Sequence, residues 1–365
     1  MNRANAEPQM SAYLHARGRR LVLPIAGTFE LTARCNFRCP MCYVHQEGQQ
    51  ERELTTAQWI SLARQAADRG MVFALLTGGE PFLRPDFFEI YHAMKEMGLL
   101  VSINTNGSML HGEIRRRLLA EPPQRMNISL YGGCRETYRE MCGRDAFGTV
   151  VENIRALKEA GVDVSLNLSM TPWNRQDLQK IHAIAQELEV PVRSSAYMYP
   201  PARLDGCARR MSPAEAAESA VQWDLLRFTP GEFALRAQTM ARLAAVDPKT
   251  CGADPERSIG CRAGSSSFWI TWDGRMLPCG MMPFPETHPM EMGFEKAWES
   301  LRQKTAAIRT PAECVSCAHR ELCQVCAAVC VAETGAFDRV PEYVCEQTRR
   351  FMERTLQIHS ERSKL

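Results

Sequence analysis

The chain has 365 residues, enough for one large domain and a smaller one. Its hydrophobic content of 45% and charged content of 24% are ordinary for a globular protein, and its formal net charge of +2 gives no bulk field that would attract nucleic acid or a membrane. The N-terminus lacks the apolar run of a signal peptide, and no stretch approaches the roughly 18 apolar residues of a membrane span. We therefore expect a cytoplasmic protein with no nucleic-acid or membrane partner.

Cysteine is the exception in this composition, with 15 residues. An odd number of cysteines cannot all pair within one chain, and disulfides are rare in the reducing cytosol. Thiols in this number indicate metal or cluster binding, with disulfides as the alternative.

From residue 28 onward, buried strands alternate with helical patterns, which indicates a parallel α/β architecture. Residues 1–22 read as a loosely structured lead-in with a basic, solvated face. Thr55 with Gln58 and Asp86 with Glu89 read as capping boxes at helix starts. Six segments are predicted as strands: Thr28–Leu31, Val72–Leu76, Leu99–Ile103, Met126–Leu130, Val162–Met170 and Val192–Tyr197.

Several of these strands alternate polar with apolar residues. A parallel sheet covered by helices on both faces would be apolar on both. A polar face therefore predicts a barrel with a wet interior, suited to a polar cofactor, or else a mixed sheet with one exposed face. The polar positions are Ser102, Asn104, Asn127, Ser129, Ser165, Asn167 and Ser169.

The predicted fold is α/β: a partial, six-stranded (β/α) barrel over residues 23–205. A helical bridge follows over 206–250, opened by Ser212 and Pro213 with Glu215 at the capping-box position. Residues 251–350 are rich in Cys, Gly and Pro and read as a small domain stabilised by metal rather than by a large core. Residues 351–365 are taken as a C-terminal tail.

Cys35, Cys39 and Cys42 follow the first predicted strand on one short loop. Three thiolates so close together can bind three irons of a four-iron cluster and leave the fourth iron open to a small molecule. A structural zinc site is the alternative, with His45 as its fourth ligand.

This spacing resembles the signature of the radical S-adenosylmethionine (SAM) superfamily. The resemblance implies that the open iron chelates SAM and that an electron from the cluster cleaves it to methionine and a 5′-deoxyadenosyl radical. Relatives carry an aromatic residue just before the third cysteine, where this chain has Met41, with Tyr43 following. This departure should affect only the contact with adenine.

Thr77 to Pro81, at the end of the second strand, look like the GGE motif of the same superfamily. The resemblance implies that Gly78 and Gly79 let the backbone approach the SAM amino group and that Glu80 adds a hydrogen-bond acceptor or a charge partner.

Asn104 and Ser129 lie at the ends of the next two strands, where α/β barrels build their sites. The resemblance implies contacts for the ribose and methionine parts of SAM here, and these two residues are the expected ones, with ordinary turn residues as the alternative. Tyr131 stands where many relatives have Asp and implies nothing about catalysis.

The C-terminal cysteines resemble the SPASM domain, an extension of radical SAM enzymes that carries one or two auxiliary four-iron clusters. Twelve residues separate Cys261 from Gly274, four more precede Cys279, and a second series follows from Cys314. The family pattern has three residues after the cysteine at 323, whereas this chain has two before Cys326 and an extra Cys330.

Carried over position by position, the pattern implies two auxiliary clusters. The outer cluster takes Cys314, Cys317, Cys323 and Cys345. The inner cluster takes Cys261, Cys279 and Cys326, with Cys251 as a possible fourth ligand. Whether Cys326 or Cys330 binds the inner cluster stays open, and a pair of zinc sites is the rival interpretation. The isolated Cys134, Cys142 and Cys207 read as buried small hydrophobes, or one of them as a radical donor or acceptor.

SPASM enzymes often modify peptides or proteins, so the first hypothesis is a maturase of a ribosomally made peptide, reduced by an external donor such as flavodoxin or ferredoxin. Little sequence precedes the first strand, so a separate protein is expected to deliver a leader peptide. The alternatives are a sulfatase-type maturase and a non-catalytic iron–sulfur or zinc scaffold. Sulfatase maturases carry an aspartate, thought to be the base, where this chain has Gly280, which counts against that alternative.

Overall fold

A computed structural model describes residues 3–44, 53–200, 210–245, 261–315 and 317–364. His45, Cys207 and Cys251 lie outside these ranges, so the expectations placed on them stay predictions. Within the described residues, no helix is both long enough and apolar enough to cross a bilayer.

One open sheet of eight described strands forms the centre of the molecule, in the order β6-β5-β4-β3-β2-β1-β7-β8. All neighbours are parallel except β7 and β8. The six predicted strands are confirmed as β1 to β6, and the α/β partial barrel with them. The strands are β1 Ala26–Glu30, β2 Phe73–Thr77, β3 Leu100–Thr105, β4 Arg125–Ser129, β5 Val164–Ser169, β6 Val192–Ser195, β7 Ser267–Ile270 and β8 Met276–Leu277.

Helices connect the parallel strands and cover one face of the sheet. The helices of the barrel are α2 Thr56–Asp68, α3 Phe87–Glu96, α4 Gly112–Ala120, α5 Arg135–Cys142, α6 Phe147–Glu159 and α7 Leu178–Glu187. The others are α1 Arg3–Leu21, α8 Pro213–Arg227, α9 Pro230–Ala244, α10 Pro289–Met292, α11 Phe294–Ala306, α12 Ala312–Val315, α13 Ala327–Thr334 and α14 Glu342–Arg362.

Because polar and apolar residues alternate along the strands, the sheet has one apolar face and one polar face. Phe29 and Ile103 are fully buried on the helix-covered face, where the Phe29 ring meets Trp59 edge to face at 6.1 Å between centroids. On the other face Asn104, Ser129, Ser102, Asn167 and Ser169 are half-buried, and Asn127 and Ser165 are buried. This arrangement confirms the predicted polar interior and leaves that face available for a ligand.

The cysteine-rich region contributes two strands to the barrel sheet, which the sequence pattern did not predict. β7 pairs in parallel with β1, Thr28 opposite Trp269, and thereby covers an edge of β1 that would otherwise be unpaired. Phe268 packs against Phe29 at 5.8 Å and Trp298 at 6.1 Å. This region therefore shares the apolar core of the barrel in addition to any metal it holds, and the division into domains stays a prediction.

Both predicted chain ends differ from expectation. The lead-in is the helix α1, anchored by a 2.8 Å hydrogen bond between His15 Nδ1 and Ser266 Oγ. The segment taken as a tail lies mostly inside α14, where Ile358 packs with Val221 of α8 and Phe233 of α9. Most residues of these two helices are charged or polar, so the few apolar residues that anchor them do not form a clear helical pattern in the sequence.

The capping predictions are confirmed at two helices and wrong at a third. Thr55 with Gln58, and Ser212 with Glu215, form reciprocal capping boxes. Asp86 makes no cap bond. Its carboxylate instead accepts hydrogen bonds from Arg84 Nε at 3.0 Å and Thr56 Oγ1 at 2.6 Å, because the buried guanidinium of Arg84 competes for it.

Replacing Ile358 with alanine tests whether α14 is part of the fold. Ile358 is buried, so the variant should lose roughly 2–5 kcal/mol of unfolding free energy through lost apolar contact and the cavity that remains. Ser360→Ala, at an exposed position of the same helix, should stay within about 0.5 kcal/mol of wild type. Urea unfolding followed by circular dichroism measures both, and equal stability of the two variants would mean that this segment is a tail after all.

Candidate active site

A cavity of about 410 Å³ opens at the carboxyl ends of the parallel strands, the edge at which α/β folds bind ligands. The loop after β1 contributes three thiols, the turn after β2 two glycines, and β3 and β4 one polar side chain each. These lining residues are Cys35, Cys39, Cys42, Gly78, Gly79, Asn104 and Ser129. All the predicted cofactor contacts except Glu80 therefore lie on one cavity.

The cysteine loop is held by hydrogen bonds that span the barrel. Arg38 N donates to the carbonyl of Cys142 at 2.9 Å, and Cys42 N donates to the carbonyl of Cys39 at 3.1 Å. Asn106 Nδ2 donates to Asn36 Oδ1 at 2.8 Å and so ties the loop to the end of β3. The loop is thus positioned by the fold itself.

The donor set of this loop fits a four-iron cluster. Its three thiols face one cavity that has polar walls and room for a further small molecule beside them, as an iron without a protein ligand requires. Burial raises the pKa of Cys35 to about 12, so metal binding there must release a proton. Across the described ranges, no three Cys, His, Asp or Glu side chains are arranged as ligands of a single metal ion.

The two glycines permit a close backbone approach between the loops that follow β1 and β2. Gly79 N donates to the carbonyl of Thr32 at 2.7 Å, and Glu80 N to the carbonyl of Arg34 at 2.8 Å. A Cβ on Gly78 would lie 2.5 Å from the Thr32 carbonyl oxygen, and the φ of Gly78, +151°, is unfavourable for other residues. The glycines therefore bring the cysteine loop and the Gly-Gly turn together.

Glu80 lies behind the cavity wall rather than on it. Its fully buried carboxylate accepts hydrogen bonds from Thr105 Oγ1 at 2.8 Å and from the backbone N of Asn106 at 2.8 Å. Burial raises its pKa to about 7, although these donors favour the charged form. In this position Glu80 holds the loop after β3, and its contact with SAM stays a prediction.

Several lining residues were missed by sequence reasoning. Asn167 and Ser169 of β5 belong to the polar alternation and could have been selected from it. Arg193 of β6 brings a positive charge to the cavity, but its short strand carries no motif that would single it out. Tyr131 also lines the cavity, and burial raises its pKa well above the usual range.

The cysteines proposed for the inner group surround Tyr199. The Tyr199 hydroxyl lies 4.0 Å from Cys326 Sγ, and after burial the charges of Cys326, Cys279 and Cys261 also raise the Tyr199 pKa. Burial and the nearby Cys326 thiolate raise the pKa of Cys261 as well. Cys326, Cys279 and Cys261 therefore lie near one tyrosine, and their role as ligands, which the resemblance implies, stays a prediction.

The cysteines of the outer group are likewise close together. Burial raises the pKa of Cys314 to about 11, with further contributions from the thiolates of Cys345, Cys323 and Cys317. Cys330 is fully buried in α13, and the charges that act on it come from Cys314, Cys326 and Cys323. This geometry favours Cys326 over Cys330 for the inner group.

Of the two isolated cysteines in the described residues, Cys142 is fully buried and lies beside Cys39. Cys134 is half-buried, with its thiol 3.5 Å from an oxygen of Asp177. Cys142 therefore matches the expected buried hydrophobe more closely than Cys134 does.

An open parallel barrel with a three-thiol loop at its strand ends defines the class of protein. Residues 29–185 match the model of the Radical SAM superfamily. Residues 29–185 are therefore a radical SAM domain, and the cysteine-rich C-terminal part fits a SPASM domain. A radical SAM domain implies SAM and a four-iron cluster as cofactors.

Two kinds of curated relative match the chain. An AdoMet-dependent heme synthase of Methanosarcina barkeri is 29% identical over 329 residues, covering 85% of this chain and 93% of that protein. A probable GTP 3′,8-cyclase of Saccharolobus islandicus is 35% identical over 162 residues, covering 44% of this chain and 52% of the cyclase. The chain thus aligns with about half the length of the cyclases and with nearly all of the heme synthase.

Solved structures share the fold. Streptococcus suis SuiB, bound to its precursor peptide SuiA, has a TM-score of 0.67 at 17% identity, covering 93% of this chain and 81% of SuiB. The enzyme anSMEcpe with bound AdoMet has a TM-score of 0.68 at 15% identity, covering 93% of this chain and 96% of that chain. At such low identity, these likenesses concern the fold alone.

Replacing Glu80 tests its part in holding the loop after β3. Glu80→Ala leaves the Asn106 N–H and the Thr105 hydroxyl buried without an acceptor, which should cost roughly 1–3 kcal/mol of unfolding free energy. Glu80→Gln keeps an oxygen acceptor and should cost less. Urea unfolding measures both, with exposed Glu89→Ala as the control. If Glu80→Ala were as stable as Glu89→Ala, the buried carboxylate would have no such role.

Proposed function

We propose that this enzyme reductively cleaves SAM and uses the resulting 5′-deoxyadenosyl radical to abstract hydrogen from a peptide or protein. The observation that carries the first step is the convergence of three thiols, two glycines and the polar ends of β3 and β4 on one cavity. A metal cluster needs thiol ligands, and a polar cofactor needs polar groups beside them; this cavity offers both.

In this proposal Cys35, Cys39 and Cys42 bind three irons, and SAM takes the open position. The cluster supplies the electron that breaks the sulfonium bond. Gly78 and Gly79 present backbone groups to the SAM amino group. Asn104 and Ser129 provide hydrogen bonds to its ribose and methionine parts, and Arg193 provides a cationic partner for a carboxylate.

A second cavity, of about 740 Å³, supports a substrate larger than a metabolite. It shares Ser194 and Ser195 with the cofactor cavity and continues toward α8 and α9. β6 has β5 as its one strand neighbour in the described part of the sheet, so an extended chain could pair along its other edge. These features suit a peptide whose reacting residue enters the inner cavity while its flanks lie in the outer one.

A tetrapyrrole is the second candidate substrate, favoured by the full-length match to the heme synthase. The outer cavity offers apolar walls that include Trp223 and Phe228, and its lining also contains Arg227 and Arg236. Flat apolar rings with carboxylate arms would suit this combination. Both arginines, however, pair with the buried Asp224, at 3.1 and 2.8 Å, which reduces their availability to a carboxylate ligand.

The sulfatase-type alternative is disfavoured by packing around Gly280. A Cβ at this position would lie 2.7 Å from Cε2 of Trp269, so the aspartate expected of that class has no room unless the indole moves.

For the C-terminal cysteines we propose two auxiliary clusters. The outer one would be held by Cys314, Cys317, Cys323 and Cys345, and the inner one by Cys261, Cys279 and Cys326 with Cys251 as the fourth ligand. An external flavodoxin or ferredoxin would supply electrons, and a separate protein would deliver any leader peptide.

Replacing Cys35, Cys39 and Cys42 together with alanine should abolish 5′-deoxyadenosine formation under anaerobic reducing conditions. Iron content should fall from about twelve to about eight atoms per chain, because one of three four-iron clusters is lost. Liquid chromatography and iron–sulfide analysis measure the two results, with Cys134→Ala as the control. Undiminished 5′-deoxyadenosine would refute the assignment of the loop, and wild-type protein rich in zinc without sulfide would refute the auxiliary clusters.

The two substrate classes can be separated by binding. If a tetrapyrrole were the substrate, a porphyrin carboxylate bound in the outer cavity would show a shifted visible absorption band, and Trp223→Ala would weaken its binding by about tenfold or more through lost apolar contact. Under the peptide proposal we expect no shift of the porphyrin band. We expect instead that hydrogen is abstracted from a peptide encoded near this gene, detected as deuterium transfer into 5′-deoxyadenosine. A saturable porphyrin shift with deuterium transfer from that ligand would replace the peptide proposal.

A further inference from the structure

A shallow surface pocket of about 510 Å³ lies beside the proposed inner cluster site. Cys261 and Cys279 line it together with Arg19 of α1, Arg262 and Trp269 of β7. Cys261 and both arginines are exposed. A proposed metal site, a positive charge and a large aromatic ring thus meet at one place on the surface.

Within the described residues, the charge at this face is positive. No acidic side chain of the described residues forms an ion pair with Arg19 or Arg262, and Arg262 Nη1 instead donates to Ser11 Oγ at 3.3 Å. Burial lowers the pKa of His15 to about 4, and the charges of Arg262 and Arg19 lower it further, so both guanidinium groups act on the same part of this face. Such a face attracts an acidic protein.

Trp269 connects this pocket with the cofactor cavity. Its ring lies so close to Gly280, the neighbour of Cys279, that a Cβ there would be within 2.9 Å of three ring atoms. On the other side its ring meets that of Tyr43 edge to face, with 6.1 Å between centroids. Tyr43 follows Cys42 in the chain and lines the cofactor cavity. The indole N–H donates to Glu30 Oε2 at 2.9 Å, which fixes the orientation of the ring.

We propose that an acidic one-electron carrier protein docks on the arginine face formed by Arg19 and Arg262, and that its electron reaches the cofactor cavity through the Cys261–Cys279 site and the Trp269–Tyr43 contact. The carrier is oxidised by one electron. That electron ends on SAM, whose sulfonium–carbon bond breaks to methionine and the 5′-deoxyadenosyl radical. The route rests on the proposed function, because it needs both the inner cluster and the SAM site.

The docking face is tested by charge reversal. Arg19→Glu with Arg262→Glu should weaken the binding of an acidic flavodoxin, used as the probe, by about tenfold or more at low salt, and raising the salt concentration should weaken wild-type binding in the same way. Arg115→Glu with Arg116→Glu makes the same change of charge on α4, three strands away from β1, and should leave binding near wild type. Calorimetry of the reconstituted enzyme measures all three affinities. Equal weakening by both pairs, or by neither, would overturn the docking face.

The route beyond the docking face is tested at Trp269. Trp269→Leu and Trp269→Met should slow reduction of the cavity cluster by flavodoxin at least about tenfold relative to reduction by dithionite, and Trp269→Phe should restore much of the rate. Stopped-flow absorption at constant cluster content measures these rates, and thermal melts show which variants are folded. An unchanged ratio in a folded aliphatic variant would exclude this path.

The two proposals fail in different ways. Dithionite is small and does not need the arginine face. If wild-type enzyme with dithionite forms no 5′-deoxyadenosine, the proposed function is wrong, and the flavodoxin affinities still decide whether the face is a docking site. If dithionite supports cleavage but the arginine pair has no effect on flavodoxin binding, the proposed function stands and the docking site is refuted.

Discussion

The close backbone contact between the loop after β1 and the turn after β2 is the constraint on which the site depends. Gly78 and Gly79 allow Thr32 and Arg34 to approach within hydrogen-bond distance, and nothing larger fits at Gly78 without moving the Thr32 carbonyl. Arg84 supports the same region, because its buried Nη1 donates to the carbonyl of Leu31 at 2.9 Å. A site for a cluster and SAM must keep its thiols and its backbone contacts to the cofactor at fixed relative positions. The contact between these two loops fixes those positions.

The residues of the Gly-Gly-Glu motif have different positions and different roles. Gly78 and Gly79 line the cavity, whereas the carboxylate of Glu80 points away from it and holds the loop after β3 through Thr105 and Asn106. Asn106 in turn binds Asn36 of the cysteine loop. Three strand-end loops are thereby joined in one hydrogen-bonded unit, so a change at any of them would reach the cavity without touching a cofactor.

The cysteine-rich region is joined to the barrel by strand pairing and by side-chain packing. β7 adds to β1, and the indole N–H of Trp298 donates to the carbonyl of Val22 at 2.9 Å. Cys279 therefore follows a strand pair that belongs to the barrel sheet. Rigid attachment of this kind keeps the distance between the proposed inner cluster and the cofactor cavity constant, which electron transfer between them requires.

The sequence by itself determined the six parallel strands, the polar barrel interior, the cysteine loop and the Gly-Gly turn. These features are carried by short-range information: the strand period of two, the covalent spacing of Cys35, Cys39 and Cys42, and a turn that directly follows a strand. Local pattern was sufficient because each of these features is built from residues close together in the chain. The grouping of the C-terminal cysteines, of which Cys261 and Cys326 are 65 residues apart in the chain, came instead from the family resemblance and stays a prediction.

Only the tertiary structure decided the remaining features, because each depends on a partner far away in the chain. β7 joins the sheet because β1 offers an edge more than 200 residues earlier in the chain. α14 is anchored by Val221 and Phe233, which belong to other helices. The mostly polar sequence of α14 alone does not indicate these contacts. Arg193 reaches the cavity through the pairing of β6 with β5, and Glu80 is turned inward by donors at the end of β3. Packing between distant segments sets these positions, and no local spacing encodes it.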